Sequence, residues 1–455
     1  MEIIKNATVT NWDSTWTYRP AVIAKPSSVD EIIEILSDTG RFPSPVCPAG
    51  SRHSTARMNG DDGGTIVDMT GMNEILEIGD GFVRVQAGAE HIEVSRALRR
   101  KGLQLHITTE IGNCTFAAMA CAASKDASFP GEYGQINSYV TGVKLVAPSG
   151  EVRELSVGTD AGEMRLLRSS YGLVGIIFEV TIRCMPTQAI AVHHVDVSLD
   201  EFKKNLPSWE SEGYSIMYYI FPYARRIVVE LRRFNPDVKP KARRIWSYRN
   251  RFWRKYGPAI AVRIKKLTTN QKLRDGLLDL NDYLLRKAAV LFIRSSRTWP
   301  HAQTINYPRD PGPKKYIFSM WAFNETKYFE ILERYFEFCD SYRRKTGYRT
   351  DLSHVGYRIS QDDSSLLSYS QSGMAMSIDP ASTGGPDWEK FLQAYNEFCC
   401  KEGGTPLFNQ TPFLTMEQAR TAFGARLDEL ETYRRKWDPK GRLLDSQFKA
   451  FLQKA

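Results

Sequence analysis

The sequence predicts an α+β protein built from interrupted sheets, and two observations carry this prediction. In the first part, short apolar strands alternate with amphipathic helices, but hairpin signals at 79–81 and 148–150 break the alternation. After Pro186 the pattern changes to antiparallel strands at 214–221 and 226–234, with helices around them. We therefore expect a mixed first region and a second region with an antiparallel sheet.

The first region begins with a helix over 28–36, which Ser27 or Ser28 caps and whose first turn carries acids. The next elements follow from apolar periodicity and from glycine or proline stops. In chain order they are strands at 46–49 and 65–69, a hairpin of 75–78 with 82–87, a helix over 90–101 that ends at Gly102, a hairpin of 139–147 with 152–155, and a strand at 176–184.

The second region begins with a strand at 189–199 and a helix from Asp200. A proline-rich breaker at 308–313 divides it. Beyond the breaker we expect a strand at 316–323, a helix over 327–345, strands near 355–360 and 374–378, and a helix over 388–401. We divide the chain into domains at 15–186 and 187–425, and a segment at 426–455 that packs back on the first domain.

Composition excludes several classes of protein. The 455 residues are 42% hydrophobic and 25% charged, as in soluble globular proteins, and no run of 18 apolar residues predicts a transmembrane helix. The N-terminus lacks the basic and apolar segments of a secretory signal. The seven cysteines are odd in number and, like the seven histidines, lack metal-ligand spacing. We expect free thiols, no metal and a cytoplasmic location.

The net charge of +9 is concentrated in one segment. Residues 239–299 hold seventeen Lys and Arg against three Asp, a net +14, which leaves about −5 for the rest of the chain. Between Arg243 and Tyr256 basic residues alternate with aromatic ones. The segment fits a solvated helical hairpin with a basic face, or a hairpin at the periphery of an anionic membrane surface. Nucleic acid is a third, less favoured partner.

The loop Gly50-Ser51-Arg52-His53-Ser54 is the most informative stretch. Small residues after an apolar segment let main-chain N–H groups approach a ligand and cradle phosphate oxygens. The histidine adds a nucleophilic ring where no structural need for one is evident. Taken alone, these five residues fit an ordinary turn better than a ligand site.

The first domain resembles the FAD domain of the vanillyl-alcohol oxidase / p-cresol methylhydroxylase (PCMH) family. The matching segments occur in family order: 18–20 with 23–26, the loop 50–54, 66–69, 85–89, 98–103, 139–143 with Gly150, and 172–177. The resemblance implies a PCMH-type FAD-binding domain of two α+β subdomains, plus a substrate or cap domain with an antiparallel sheet flanked by helices. It also implies FAD contacts from Gly50, Ser51, Arg52, His53, Ser54, Gly112, Thr115, Ala117, Ala118, Gly172, Gly175 and Ile177. His53 matches the family's linking histidine, which implies covalent FAD, with a histidine that only hydrogen-bonds the cofactor as the alternative.

The C-terminal part is similar to the sugar-lactone oxidase branch, which includes aldonolactone, alditol and decaprenylphosphoryl-ribose oxidases. The similarity rests on 357–363, on 367–368, on the turn 403–406 and on the ending 438–446. Three positions depart from the branch. Ala117 and Ala118 replace a glycine pair beside the flavin, Gly356 replaces a glutamate, and Gln410 replaces a lysine. These departures leave the substrate open.

The resemblance names Arg358 as the group that holds a substrate oxygen, with a structural salt bridge to Asp362 or Asp363 as the alternative. Tyr357 alternates with Arg358 along a strand, so only one of the two side chains faces the flavin. Lys125 and Asp126 are either catalytic residues beside the flavin or a buried ion pair. Asn409 and Gln410 are expected to hydrogen-bond the substrate. Alternatively, their side chains hydrogen-bond the backbone of their own turn.

These features predict an FAD-dependent oxidoreductase. We expect it to oxidise a CH–OH group of a small polyol, lactone or hydroxylated lipid-like substrate, with O2 or another acceptor reoxidising the flavin. A flavin-dependent desaturase, reductase or oxidative cyclase is the alternative. A non-enzymatic flavoprotein scaffold, tethered through 239–299, is the least favoured hypothesis.

Overall fold

The computed structural model describes residues 1–307, 312 and 315–452. The predicted breaker at 308–313 therefore lies outside the described residues, apart from Gly312. The strands of the first half are Glu2–Lys5 (β1), Val9–Thr10 (β2), Thr17–Tyr18 (β3), Val22–Lys25 (β4), Val46–Ala49 (β5), Thr65–Asp68 (β6), Ile75–Ile78 (β7), Phe82–Gln86 (β8), Leu103–Leu105 (β9), Val140–Val146 (β10), Val152–Ser156 (β11) and Ile176–Pro186 (β12). Its helices are Val29–Ser37 (α1), His91–Arg100 (α2), Phe116–Cys121 (α3) and Ala161–Leu167 (α4).

The second half contains the remaining elements. Its strands are Ala189–Val197 (β13), Ser215–Phe221 (β14), Arg226–Asn235 (β15), Ser295–Thr298 (β16), Ile317–Phe318 (β17), Trp321–Asn324 (β18), His354–Ile359 (β19), Ala375–Ile378 (β20), Ala381–Ser382 (β21) and Thr405–Pro406 (β22). Its helices are Leu199–Ser211 (α5), Arg244–Arg251 (α6), Gly257–Leu267 (α7), Gln271–Phe292 (α8), Glu325–Thr346 (α9), Pro386–Lys401 (α10), Met416–Phe423 (α11), Ala425–Trp437 (α12) and Ser446–Leu452 (α13).

Two sheets form in the first half, as the interrupted pattern predicts. One has the order β1-β4-β6-β5, in which β6 runs parallel to both β4 and β5. The other has the order β11-β10-β12-β8-β7, with β9 paired to β12 and both predicted hairpins present. Ser28 caps α1 by accepting a hydrogen bond from the Glu31 amide at 3.3 Å. Gly102, at φ +72°, follows the end of α2.

An eight-stranded sheet with the order β16-β13-β15-β14-β19-β20-β18-β22 forms the second half. Its two faces bury different partners because side chains alternate along each strand. Ile216, Tyr218 and Ile220 of β14 join the core that contains α5, α9 and α10. The opposite face, with Tyr219 and Tyr357, packs toward Ala123 and Ala127 of the first half. This second face forms one wall of the site.

The basic segment folds as α6, a π-helical turn at 252–256, α7 and α8. Its aromatic and basic residues do not all face solvent. Trp246 and Arg249 are buried, and Trp253 stacks on Tyr219 with ring centres 5.5 Å apart. The part of the segment between Arg243 and Tyr256 therefore packs on the rest of the protein as well as presenting charge. Neither the solvated hairpin nor the membrane-facing hairpin expected from the sequence includes this packing.

The C-terminal segment contacts the first half of the chain. The Arg442 guanidinium donates hydrogen bonds to the carbonyl oxygens of Ile35 (2.8 Å) and Leu36 (3.1 Å) at the end of α1. Trp437 joins the core of the second sheet. We keep the domain limits at 15–186, 187–425 and 426–455 as a proposal.

Candidate active site

A cleft lies between the loop 50–54 and the eight-stranded sheet, and its empty space is about 1640 Å³ when open solvent at the mouth is included. Residues from distant parts of the sequence converge on it. Those expected from the sequence that line it are Gly50, Ser51, Arg52, His53, Ser54, Thr115, Ala117, Ala118, Lys125, Gly172, Gly175, Ile177, Tyr357, Asn409 and Gln410.

The loop 50–54 lies close against Thr115 at one end of the cleft. A Cβ added at Gly50 would lie only 2.0 Å from Thr115 Oγ1, so this close approach requires glycine. Ser51 Oγ is buried, and the described residues offer it no hydrogen-bond partner. A buried hydroxyl that lines a cleft without a partner fits an oxygen-rich ligand group such as a diphosphate.

His53 is held in the cleft by neighbours on both sides of the loop. It is 8% exposed and lies beside Trp12, with ring centres 5.5 Å apart. The Ser54 hydroxyl donates to the Asn409 carbonyl at 2.7 Å. The loop and the 409–410 turn, which the sequence identifies separately, are therefore one structural unit.

Gly172 forms a tight turn that also lines the cleft, beside the end of β5. Its φ of +85° is a left-handed conformation that favours glycine, and an added Cβ would lie 2.7 Å from Pro48. This turn, the loop and the small side chains of Ala117 and Ala118 leave room for a planar group. The residues present therefore fit FAD.

Gly112 does not line the cleft, which corrects its expected role in cofactor binding. Its amide donates to the Ile305 carbonyl at 2.7 Å, and a Cβ there would lie 2.6 Å from Thr304. Gly112 instead allows two chain segments to pack closely, and its neighbours Glu110 and Ile111 reach the cleft.

Lys125 and Asp379 form a buried ion pair in the cleft. Lys125 Nζ lies 2.9 Å from Asp379 Oδ2 and donates a hydrogen bond to Gln410 Oε1 at 3.0 Å. Burial raises the pKa of Asp379 to about 6, and the nearby Lys125 limits that rise. Oδ1 of Asp379 is buried and makes no well-formed hydrogen bond with the described chain. Asp126, the sequence neighbour, instead pairs with Arg232 at 2.7 Å.

Tyr357 belongs to a second polar group on the same wall. Its hydroxyl lies 3.3 Å from Glu110 Oε2, and the other oxygen of Glu110 pairs with Arg249 at 2.5 Å. Arg249 also donates to the Tyr219 hydroxyl at 2.9 Å. Burial raises the pKa of Tyr357 well above its ordinary value, so its phenol stays protonated and can donate a hydrogen bond.

Arg358 points away from the cleft, which corrects the expectation that it holds a substrate oxygen. Its guanidinium pairs with Glu325 at 2.5 Å and with Glu210 at 2.7 Å, and not with Asp362 or Asp363. Successive residues of β19 face opposite sides of the sheet, and Tyr357 faces the cleft. Gly356 shares the outer face with Arg358, and a Cβ there would lie 1.9 Å from the Tyr218 ring. The missing glutamate therefore does not alter the cleft.

Three charged residues of the site were missed from the sequence: Glu110, Arg249 and Asp379. Asp379 directly follows a predicted apolar strand and precedes a proline, which is a detectable signal for a polar group at a strand end. Glu110 is a single acid in a neutral stretch. Arg249 could not be distinguished among the many basic residues of its segment.

Comparison with known proteins finds sequence relatives. Residues 20–156 match the sequence model of the FAD binding domain family. The L-gulono-1,4-lactone dehydrogenase of Mycobacterium tuberculosis (strain CDC 1551 / Oshkosh) is 22% identical over 444 residues, which cover 94% of this chain and 95% of that protein. L-galactono-1,4-lactone dehydrogenase 2, mitochondrial, of Oryza sativa subsp. japonica is 29% identical over 225 residues, which cover 49% of this chain and 38% of that protein.

A similar fold occurs among solved structures. Cholesterol oxidase from B. sterolicum superposes with a TM-score of 0.76 at 12% identity, over 99% of this chain and 97% of that one. At this identity the likeness concerns the fold alone, and it confirms the predicted α+β class. With the FAD binding domain match and the aldonolactone relatives, the chain resembles the vanillyl-alcohol oxidase / p-cresol methylhydroxylase family and is an FAD-dependent oxidoreductase.

Proposed function

We propose that this enzyme oxidises a CH–OH group of a small polyol, lactone or hydroxylated lipid-like substrate to a carbonyl. The buried Lys125–Asp379 pair at the cleft is the observation that carries the proposal. Oxidation of an alcohol requires a base for the hydroxyl proton, and a base works best when its pKa is close to the working pH. Asp379, with a pKa raised to about 6, meets this requirement.

Bound FAD supplies the two-electron acceptor of the reaction. Asp379 Oδ1 accepts the hydroxyl proton while the C–H hydrogen leaves with its electron pair, and the C–O bond becomes a carbonyl. The ammonium of Lys125, fixed by Asp379 and Gln410, lies where it stabilises negative charge on the substrate oxygen. Tyr357 donates a hydrogen bond, and Asn409 Oδ1, which is buried without a partner among the described residues, accepts one.

This arrangement supplies an ammonium despite the departure at Gln410. Gln410 replaces the branch lysine, but it accepts a hydrogen bond from Lys125, whose ammonium lines the same cleft. Gly356 faces away from the cleft, so the glutamate missing there takes no carboxylate from it. Both departures are therefore compatible with the alcohol-oxidation proposal.

Anaerobic mixing of the yellow holoenzyme with polyols, lactones and hydroxylated lipids tests the proposal. We expect bleaching of the flavin by at least one class and a product two hydrogen atoms lighter, with a new carbonyl. A product with a new C=C bond or ring would favour the flavin-dependent desaturase or cyclase instead. A flavin that no substrate reduces would favour a scaffold. Repetition with O2 or an artificial acceptor identifies the partner that reoxidises the flavin.

We propose further that FAD is bound covalently through His53. The position of His53 on the loop, its burial and its place on the cleft wall support this. After acid precipitation, yellow colour should stay with the protein pellet, and it should move to the supernatant for His53→Ala. A colourless wild-type pellet would contradict the linkage and leave the oxidation proposal intact.

We also propose a peripheral association of 239–299 with an anionic membrane surface, supported by its net charge of +14. Among the described residues, no helix is long and apolar enough to cross a membrane.

A further inference from the structure

Exposed large hydrophobic side chains are concentrated on the basic insertion 239–299. Ten of the sixteen such side chains in the described chain lie between 248 and 292. Leu267 is 72% exposed and Phe292 is 64% exposed. Single exposed apolar residues are ordinary on protein surfaces, but a concentration of this kind marks a surface that meets a partner.

The exposed residues of α8 form one stripe along the helix. Leu273, Leu280, Leu284 and Leu291 follow one another at intervals of seven, four and seven residues, which keeps them on the same side at 3.6 residues per turn. The opposite side of α8 is buried through Leu278 and Arg286. The leucine stripe therefore lies on the side of α8 that the described residues leave uncovered.

The exposed charge of the insertion is mainly positive. Thirteen of the seventeen basic residues of the insertion are exposed. Its three acids turn toward α9 and the chain after it, where Asp279 and Asp282 pair with Arg349 and Asp275 lies 4.0 Å from Arg343. The outer surface thus combines aliphatic side chains with positive charge.

We propose that the outer face of α7 and α8 docks on an anionic phospholipid bilayer, with the leucine stripe in the headgroup region. This inference rests on the membrane association proposed above and identifies the residues responsible. Leucines gain free energy by leaving water, and lysines and arginines gain by approaching phosphate headgroups. A second copy of this chain would bring an equally positive face, which repels. Nucleic acid offers no apolar layer for the leucines.

The same insertion contacts the substrate end of the cleft. Arg249 of α6 holds Glu110, and the ring of Trp253 lies 6.0 Å from that of Tyr316, which lines the cleft. Docking through α8 therefore places the bilayer on the same insertion whose Arg249 and Trp253 contact residues of the cleft wall. This arrangement favours the hydroxylated lipid among the three proposed substrate classes.

Vesicle flotation of the holoenzyme tests the proposal. Vesicles of phosphatidylcholine and phosphatidylglycerol in equal parts should carry the wild type, and pure phosphatidylcholine should not. In Leu280→Glu/Leu284→Glu the vesicle partition coefficient should fall roughly tenfold or more. The milder double variant Leu273→Ser/Leu291→Ser should also have a lower vesicle partition coefficient than the wild type. The control Leu76→Glu/Val152→Glu changes exposed apolar residues elsewhere and should float as the wild type does.

Bound flavin and the reduction rate with a water-soluble substrate report folding and oxidation separately from docking. A wild type that does not float would overturn the membrane association, whereas its flavin reduction would be unaffected. Variants that float as well as the wild type would assign docking to another face. A wild-type dimer in light scattering that the α8 variants dissociate, or binding of DNA in preference to vesicles, would also overturn the proposal.

Discussion

Lys125 Nζ lies 2.9 Å from Asp379 Oδ2, and both side chains are almost fully removed from solvent. Their sequence positions are more than 250 residues apart, and only the packing of the eight-stranded sheet on the first half brings them together. Burial disfavours the carboxylate and Lys125 favours it, but burial is the larger effect and raises the pKa of Asp379 to about 6. The pair is the basis of the proposed chemistry.

The rate of flavin reduction should depend on pH through Asp379. Because its pKa is about 6, the base is ionised above that pH and protonated below it. We expect kcat/KM to be level above about pH 6 and to fall roughly tenfold per pH unit below it. In Lys125→Met the Asp379 carboxylate loses its cation, so the acidic limb of the kcat/KM profile should move to higher pH. Lys265→Met, which breaks a similar pair with Asp351 outside the cleft, should leave the limb in place.

The same pKa predicts the sign of a stability effect. The native carboxyl of Asp379 binds its proton more tightly than the unfolded one, since its pKa rises from 3.8 to about 6. Its contribution to the free energy of unfolding should therefore decrease as pH rises from about 4 to about 6. Thermal unfolding of the wild type and of Asp379→Asn across this pH range measures the difference between their free energies of unfolding. This difference should not change with pH if the pKa of Asp379 is the ordinary one.

Tyr357 and Arg358 are adjacent, but their substitutions should have different effects. Tyr357→Phe removes a hydrogen-bond donor from the cleft, so kcat/KM should fall while the melting temperature stays close to that of the wild type. Arg358→Gln breaks pairs with Glu210 and Glu325 on the other face, and should cost on the order of 1–3 kcal/mol of stability with little change in kcat. Selective loss of turnover in the Arg358 variant would restore the original expectation.

Gly50→Ala should weaken FAD binding. The new Cβ would lie 2.0 Å from Thr115 Oγ1, so the loop or Thr115 must move. Thr115→Ala in the same protein removes the nearest atom and should restore part of the bound flavin. Gly162→Ala, in α4 with open space around it, is the matched control and should retain flavin fully. Flavin absorbance per protein after gel filtration measures all three.

Arg249 should be a positioning residue. Arg249→Met leaves the Glu110 carboxylate without its cation, a loss that typically costs about 3–5 kcal/mol for a buried pair and less here, because Glu110 is partly exposed. Glu110→Gln in the same background should recover stability. If Arg249 acts through Glu110 on Tyr357, the double variant should have the kcat of Glu110→Gln alone. Independent effects on kcat would contradict this role.

The residues expected to hold the cofactor lie in short contiguous motifs, which is why the sequence could point to most of one side of the cleft. Loop 50–54, Thr115 and the turn at Gly172 all line the cleft, whereas Gly112 serves packing. The substrate half was harder, because strand register decides which neighbour faces inward. Tyr357 and Arg358 are neighbours, and a shift of one position in the strand would exchange which of them faces the cleft. Asp379 reaches the cleft, and Arg249 reaches Glu110 in the cleft wall, through long-range packing that no local pattern encodes.

The most direct test compares flavin reduction in Asp379→Asn and Asp351→Asn by anaerobic stopped flow, with a substrate that reduces the wild type. Both variants neutralise a buried aspartate paired with a lysine at 2.9 Å, but only Asp379 lines the cleft. Asp379→Asn should retain flavin and lose roughly 10²–10⁴-fold in reduction rate, whereas Asp351→Asn should reduce at the wild-type rate. Equal reduction rates in the two variants, with flavin bound in both, would contradict the assignment of Asp379 as the base.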